Sequence, residues 1–210
     1  MVEANVAIDS REVRNKYNRT SRFYNVLEWP MELAFYRRWR RSLFTLLRGS
    51  RILEVGLGTG KNLPFYRGKP WNVTAVELSE GMLSKARADD RIQAIALVQA
   101  DAQYLPFRPA SFDAVLATFV FCSVPDPVQG FREIRRVLRP GGRLYLLEHV
   151  LPENPLLARL FNRLNSLTVQ RVGVNINRKT AENIRKAGFE LEVEKNLLST
   201  IFKLFVARPG

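Results

Sequence analysis

The stretch Arg51-Ile-Leu-Glu-Val-Gly-Leu-Gly-Thr-Gly-Lys-Asn62 sets a short apolar strand directly before three glycines at alternate positions. A brief apolar run that stops at glycine reads as a parallel strand buried on both faces. Gly56, Gly58 and Gly60 have no Cβ, so the loop turns sharply and lets a ligand approach its backbone amides. Residue identity excludes two familiar loops of this kind. The phosphate-binding pattern G-x-x-x-x-G-K-[ST], counted from Gly60-Lys61, needs glycine at 55 and Ser/Thr at 62, where the chain has Val55 and Asn62. The dinucleotide pattern G-x-G-x-x-G/A fails at its third slot, which holds Lys61.

The downstream sequence alternates strand and helix signals. Residues 72–78 (NVTAVEL) form a second strand signal ending in Glu77, an acid 21 residues after Gly56, and an acid at that distance can accept hydrogen bonds from ribose hydroxyls. Ser79 is an N-cap residue type opening a helix over 79–90 with Met82, Leu83 and Ala86 on one face. Strands follow over 92–102, ending in Asp101-Ala102, and over 111–121. A helix is expected over 126–138, with Val128, Phe131, Ile134 and Leu138 at helical spacing, before a fifth strand ending near His149. This alternation predicts a parallel sheet covered on both faces.

The remaining loop pattern, E-x-G-x-G-x-G beginning at Glu54, with these spacings over about residues 50–150, resembles the class I S-adenosyl-L-methionine (SAM) methyltransferases. The resemblance implies an α/β, Rossmann-like fold: a seven-stranded, mostly parallel sheet, helices on both faces, an antiparallel last strand and an N-terminal helical lid. Residues 177–189 would be the helix before the sixth strand, with closing strands FELEVEKNL and FKLFVAR. It implies SAM as cofactor, with S-adenosyl-L-homocysteine as product. Glu54 and the amides of Gly56, Gly58 and Gly60 would hold its methionine end, with Asn62 beside them. Glu77 would hold the ribose, lined by Leu78 and Met82. Asp101 and Ala102 would meet the adenine, and Thr118 would lie beneath the sulfonium. The expected organisation is a basic helical lid over residues 1–50 on a methyltransferase domain over 51–210, together one domain.

Charge points to the partner. The formal net charge is +13. Residues 1–50 hold ten Lys/Arg against five Asp/Glu, and residues 151–188 hold seven against two. In open α/β sheets such flanking segments cover the edge where ligands enter, so an anionic surface is expected there, nucleic acid or membrane headgroups. After the fourth strand the chain reads ATFVFCSVPDP, without the N/D-P-P-Y/F pattern of base-methylating enzymes, so nucleic acid is not expected. Residues 28–49 carry Pro30, suited to a first helical turn, and place Phe35, Trp39, Leu43, Phe44 and Leu47 against Arg37, Arg38, Arg40, Arg41 and Arg48. Such a helix either lies in a lipid interface or caps the sheet. No apolar run is long enough to cross a bilayer, and residues 1–10 lack the apolar region of a secretory leader. The expected location is cytoplasmic and peripheral to the membrane. One Cys and one His exclude a Cys/His zinc site and any disulfide within the chain, and no metal is expected.

The opening RNKYNRTSRFYNVLEWPMEL resembles that of methyltransferases acting on quinones and phospholipids, with Tyr17 and Tyr24 in the tyrosine slots and Asn18 and Asn25 where aspartates are usual. Phe119–Val124 replaces the S-F-G-L-R-N stretch of the quinone C-methyltransferases, and residues 122–150 are similar to bacterial phosphatidylethanolamine N-methyltransferases and to methyltransferase-like thiol methyltransferases. The resemblance therefore implies a lipid-like substrate, phosphatidylethanolamine first, a demethylquinone or small thiol as the alternative, and an RNA-associated SAM-binding protein last. Tyr17, closing over SAM, and His149, whose ordinary pKa suits a proton acceptor, are the candidate catalytic residues. A structural role for His149 at its strand end is equally open.

Overall fold

A computed structural model describes residues 9–210, except the side chains of Leu27, Gln93 and Ala94; the first eight residues, within the stretch read as lacking a leader, lie outside it. The strands β1 (Arg51–Val55), β2 (Asn72–Glu77), β3 (Ile95–Gln99), β4 (Phe112–Thr118), β5 (Leu138–His149), β6 (Phe189–Leu198) and β7 (Phe202–Pro209) form one sheet in the order β3-β2-β1-β4-β5-β7-β6. The pairs from β3 to β5 are parallel, and β7 runs antiparallel to both β5 and β6. The sheet order reverses between β1 and β4, the crevice where open α/β sheets take ligands.

Both sheet faces are covered. On one, α2 (Arg37–Leu46) and the residue after it bury Trp39, Leu43, Phe44 and Leu47 against Ile52, Leu116 and Tyr145. This apolar stripe is core, so the capping alternative for these residues holds. On the other face α5 (Pro127–Val137) and α7 (Thr180–Lys186) pack Phe131, Ile134 and Ile184 on Val115 and Leu146, with Phe131 stacked on Phe121 at 3.9 Å. Burying each such side chain stabilises the fold by about 1.5–3 kcal/mol. Short helices α3 (Leu63–Tyr66) and α4 (Glu80–Arg87) follow the first two strands. Ser79 caps α4 by accepting from the Met82 amide at 3.2 Å.

The N-terminal segment departs from the sequence reading. A helix starting at Pro30 is expected, but α1 runs from Ser10, capped by Asp9, through Pro30 to Met31. A π-helical turn over Glu32–Tyr36 then joins it to α2, and the Arg37 amide reaches back five residues to the Glu32 carbonyl. Proline lacks an amide hydrogen and crowds the carbonyl four residues earlier. The wide turn directly after Pro30 absorbs that disruption without ending the helix. The long helix α6 (Pro155–Val172) follows β5, and α1 is tied to it where Lys16 Nζ donates to the Val169 carbonyl at 2.8 Å.

Candidate cofactor and substrate site

Between α1 and the C-terminal ends of β1, β2 and β4 lies a cavity of about 920 Å³, mouth included. Its floor is the glycine loop. Gly56 turns at φ +73°, and a Cβ there would strike Val120 at 2.4 Å. Gly58, at φ +59°, has open space where a Cβ would stand and borders the cavity. Glu77 closes the second strand beneath it, accepting from the amides of Gly58 and Ser79, both at 2.9 Å. Burial pushes the Glu77 carboxyl above its ordinary range, and those amide bonds pull back. Each carboxylate oxygen takes one of these amides, so each keeps a lone pair for a ligand hydroxyl. Leu78, Met82, Asp101, Ala102, Asn62 and Thr118 also line the cavity. Asp101 is held by Gln103, whose amide nitrogen and side chain donate to Oδ1 at 2.9 and 3.1 Å.

Two members of the expected floor stand elsewhere. Glu54 and Gly60 do not line the cavity. Glu54 is fully buried beneath the loop, accepting from Asn62 Nδ2 at 2.8 Å and the Tyr66 hydroxyl at 2.6 Å, and burial pushes its carboxyl up to about 7. Direct contact between Glu54 and the methionine end is thus corrected: Glu54 orients Asn62, and Asn62 borders the cavity.

The lid is built on one face of α1. Val13, Tyr17, Tyr24 and Glu28 recur at helical spacing and face the cavity. Tyr17 Oη and Ser123 Oγ share a hydrogen bond of 2.6 Å. Tyr24 and Glu28 both line the cavity, and burial raises both groups above their ordinary pKa range. The asparagines in place of aspartates keep acceptor roles: Asn18 Oδ1 accepts from Ser79 Oγ at 2.7 Å and the Gly81 amide at 3.0 Å, and Asn25 Oδ1 accepts from Thr59 Oγ1 at 2.7 Å.

Arg40, which the sequence only groups with the other arginines set against the apolar residues of 28–49, completes the lid. It is only 3% exposed and lines the cavity. Its Nη1 donates to Thr118 Oγ1 at 2.7 Å and Asn62 Oδ1 at 3.3 Å, its Nη2 pairs with Glu32 at 3.3 Å, and its buried Nε has no partner among the described residues. The π turn explains the placement. In an unbroken α-helix, residues 28 and 40 would face about 120° apart. One extra residue in the wide turn brings them to within roughly 20°, so Glu28 and Arg40 face the same cavity.

His149 is placed away from this cavity, which corrects its candidacy as proton acceptor. Its ring stacks on Phe161 and meets Phe202 edge-on, with centroids at 5.9 and 5.7 Å. Burial among these rings pulls its pKa down to about 4, and its Nδ1 has no partner among the described residues. Its neighbour Glu148 accepts from the Val120 and Phe121 amides, both at 3.0 Å, and so shapes the loop after β4. That loop begins with Phe119 at φ +60°, a left-handed backbone conformation uncommon for an aromatic residue and concentrated at functional sites. Cys122 is buried and its thiol is pushed up to about 12, which leaves it an inert packing group.

The residues fit the expected cofactor: a carboxylate and a second acid where ribose and adenine would lie, an open glycine edge, and a buried guanidinium with a spare donor suited to a carboxylate. Among the described residues there is no cluster of acids, His and Cys able to hold a metal. Tyr24, Glu28, Arg40 and Ser123 were not singled out from sequence as site residues. The signals in sequence were the two tyrosine slots of the opening motif and the spacing of Tyr17, Tyr24 and Glu28 along one face.

Comparison with known proteins points to the same family and cofactor. The methyltransferase domain family matches residues 53–146. A demethylmenaquinone methyltransferase of Mycobacterium sp. (strain KMS) is 34% identical over 165 residues, covering 77% of this chain and 70% of its own. The chain spans about two thirds of the length of such relatives, 66% in another case. Among solved structures, the [4+2]-cyclase SpnF superposes with a TM-score of 0.80 at 21% identity, covering 97% of both chains. A geranyl diphosphate C-methyltransferase from Streptomyces coelicolor A3(2), in complex with S-adenosyl-L-homocysteine, superposes at 0.69 with 14% identity, over 83% of this chain and 79% of that one. At these identities the two structures speak for the fold, which hosts a cyclase as well as methyltransferases.

Proposed function

Because the chain belongs to the class I SAM-dependent methyltransferases, we propose that it methylates a ring carbon of a demethylquinol-like, lipophilic hydroxyarene. This was the alternative in the sequence reading, below phosphatidylethanolamine. The names of the relatives support it, although Phe119–Val124 lacks the stretch usual in quinone C-methyltransferases. The observation that carries it is a half-buried carboxyl, Glu28, lining one cavity together with the Tyr24 and Phe119 rings.

SAM, when bound, supplies a methyl group already activated on a sulfonium. The protein's work is then to place the nucleophile in line and exclude water. Phe119 and Tyr24 offer faces for a flat ring. Glu28 accepts the proton of the ring hydroxyl, which makes the adjacent ring carbon electron-rich. Its burial raises its affinity for that proton. Tyr24 orients the carboxylate, and Tyr17, held by Ser123, closes the cavity over the cofactor. Glu28, Asn62 and Arg40 give the cavity its polar lining, with the Arg40 guanidinium over the Phe119 ring at 5.4 Å.

Phosphatidylethanolamine remains the second reading, favoured by the same carboxylate, since Glu28 also suits an ammonium group. Incubation of the protein with methyl-labelled SAM and vesicles containing a demethylmenaquinol, phosphatidylethanolamine or a lipophilic thiol separates them. Label in the quinol ring, lost in Glu28→Gln, is the expected result. Label in phosphatidylethanolamine alone would replace this reading with the second.

A further inference from the structure

Trp29 is 63% exposed, turned about 100° around α1 from the cavity-facing Glu28 and about 140° from Tyr24. It is not alone. Phe23, Val26 and Leu33 are 66%, 72% and 66% exposed at neighbouring helical positions. On α6 a second stripe, Leu156, Leu160, Leu164 and Leu167, is 72%, 48%, 40% and 42% exposed at i, i+4, i+8 and i+11, while Asn165 and Val169 on the other side are buried. Scattered exposed apolar residues need no explanation, but two aligned stripes of large ones do.

We propose that the outer faces of α1 and α6 together form a docking surface for an anionic lipid bilayer. Charge selects this occupant. Exposed Arg19, Arg22, Arg37, Arg38 and Arg41 border the first stripe, and Arg159 and Arg163 interleave with the second. No ion pair involves any of them among the described residues. Helix α6 has no acidic residue. Apolar side chains flanked by unpaired arginines match acyl chains beneath phosphate headgroups. Two copies apposed through these faces would bring like charges together. RNA would satisfy the arginines but leave the apolar stripes in water.

Position agrees with charge. Both helices lie over the ligand-binding edge of the sheet, with their packed sides toward it. Between them runs a cluster of rings: Phe161 of α6 on His149, His149 on Phe202, Phe202 on Tyr36 of the π turn, and Tyr36 on Phe119 at 4.3 Å. Phe119 lines the cavity. Docking would therefore set the hydrocarbon region against the aromatic route to the site. No helix among the described residues is long and apolar enough to cross a membrane, so the contact is interfacial.

The proposal does not depend on which lipophilic molecule is methylated, and its test needs no catalysis. The full chain is mixed with phosphatidylcholine vesicles with and without phosphatidylglycerol, and binding is read by flotation and by tryptophan emission. Of the three tryptophans Trp29 is exposed, Trp71 half-buried and Trp39 buried, so a blue shift on vesicle addition that Trp29→Phe abolishes reports Trp29 entering lipid. Partition should rise with phosphatidylglycerol and fall with salt. The variant carrying Phe23→Ser, Val26→Ser, Trp29→Ser and Leu33→Ser should partition about tenfold less or weaker. Leu160→Ser with Leu164→Ser should act in the same direction, with S-adenosyl-L-homocysteine affinity unchanged in both as the check on folding. Absence of partition, or partition indifferent to these substitutions, overturns the proposal. A concentration-dependent dimer dissolved by the same substitutions would assign the faces to a second copy instead.

Discussion

Replacing Arg40 by methionine tests the electrostatic design of the site. Methionine keeps the length and most of the volume of the buried stem, so the substitution removes charge and donors with little change in packing. Thr118 and Asn62 keep each other, since Asn62 Nδ2 also donates to Thr118 Oγ1 at 3.1 Å. Glu32, with 17% of its side chain exposed, loses its partner but retains access to water. The fold should therefore survive at a cost of about 1–3 kcal/mol. A ligand carboxylate meeting Arg40 would lose charge-assisted hydrogen bonds of about 1.5–3 kcal/mol, roughly a tenfold to 150-fold rise in Kd. Calorimetric titration with S-adenosyl-L-homocysteine measures that rise. Titration with 5′-methylthioadenosine, which has the nucleoside and no carboxylate, supplies the contrast, because its affinity should stay within about twofold of wild type if Arg40 acts through charge pairing. Equal losses for both ligands would mean that Arg40 only supports the cavity wall. No loss for either would remove it from the site.

Four further outcomes are expected. Glu77→Ala should weaken SAM binding by about 1–3 kcal/mol, read by calorimetry, and neither protein should bind NAD, because Lys61 occupies the slot that needs glycine or alanine. Glu28→Gln should lower methyl transfer by roughly 10²–10⁴ with S-adenosyl-L-homocysteine affinity retained, whereas full activity at low pH, where Glu28 is most protonated, would exclude it as the acceptor. For His149, the folded value of about 4 lies below the ordinary 6.5, so the unfolded chain takes up a proton first and stability present above pH 6.5 is lost as pH falls toward 4; His149→Phe should remove about 2–4 kcal/mol of that loss in urea titrations at the two ends of the window and leave activity intact. Glu148 has the opposite sign: burial holds it at about 7 against an ordinary 4.5, so stability present below 4.5 is lost as pH rises through 7, and Glu148→Gln should flatten that slope, a steeper one counting against burial as its cause.

The floor of the cavity was legible in the chain because each of its signals is local. Three alternate glycines after a strand, an acid 21 residues on and an N-cap serine behind it belong to single β-turn-α units. Backbone sterics and capping bonds within a few residues decide such units, and Gly58, Glu77 and Ser79 meet in the structure as those units require. Glu54 shows where locality ends. Its position beside the loop was visible, but whether its carboxylate reaches the cavity or turns under it depends on Asn62 and Tyr66, which arrive from α3 and its cap.

What only the tertiary structure decided is which side of each long helix faces inward. Five arginines between 37 and 48 are chemically alike in sequence, yet Arg40 alone of Arg37, Arg38, Arg40 and Arg41 is buried, because the π turn after Pro30 rotates the face of α2 relative to α1. His149 stands at a strand tip as the sequence places it, but Phe161 and Phe202, neighbours only through long-range packing, surround it and keep it neutral. Periodicity carries the existence of a helix and the width of its apolar stripe. Its phase relative to distant elements is set by packing, where one extra residue in a turn rotates every later side chain by about 100°.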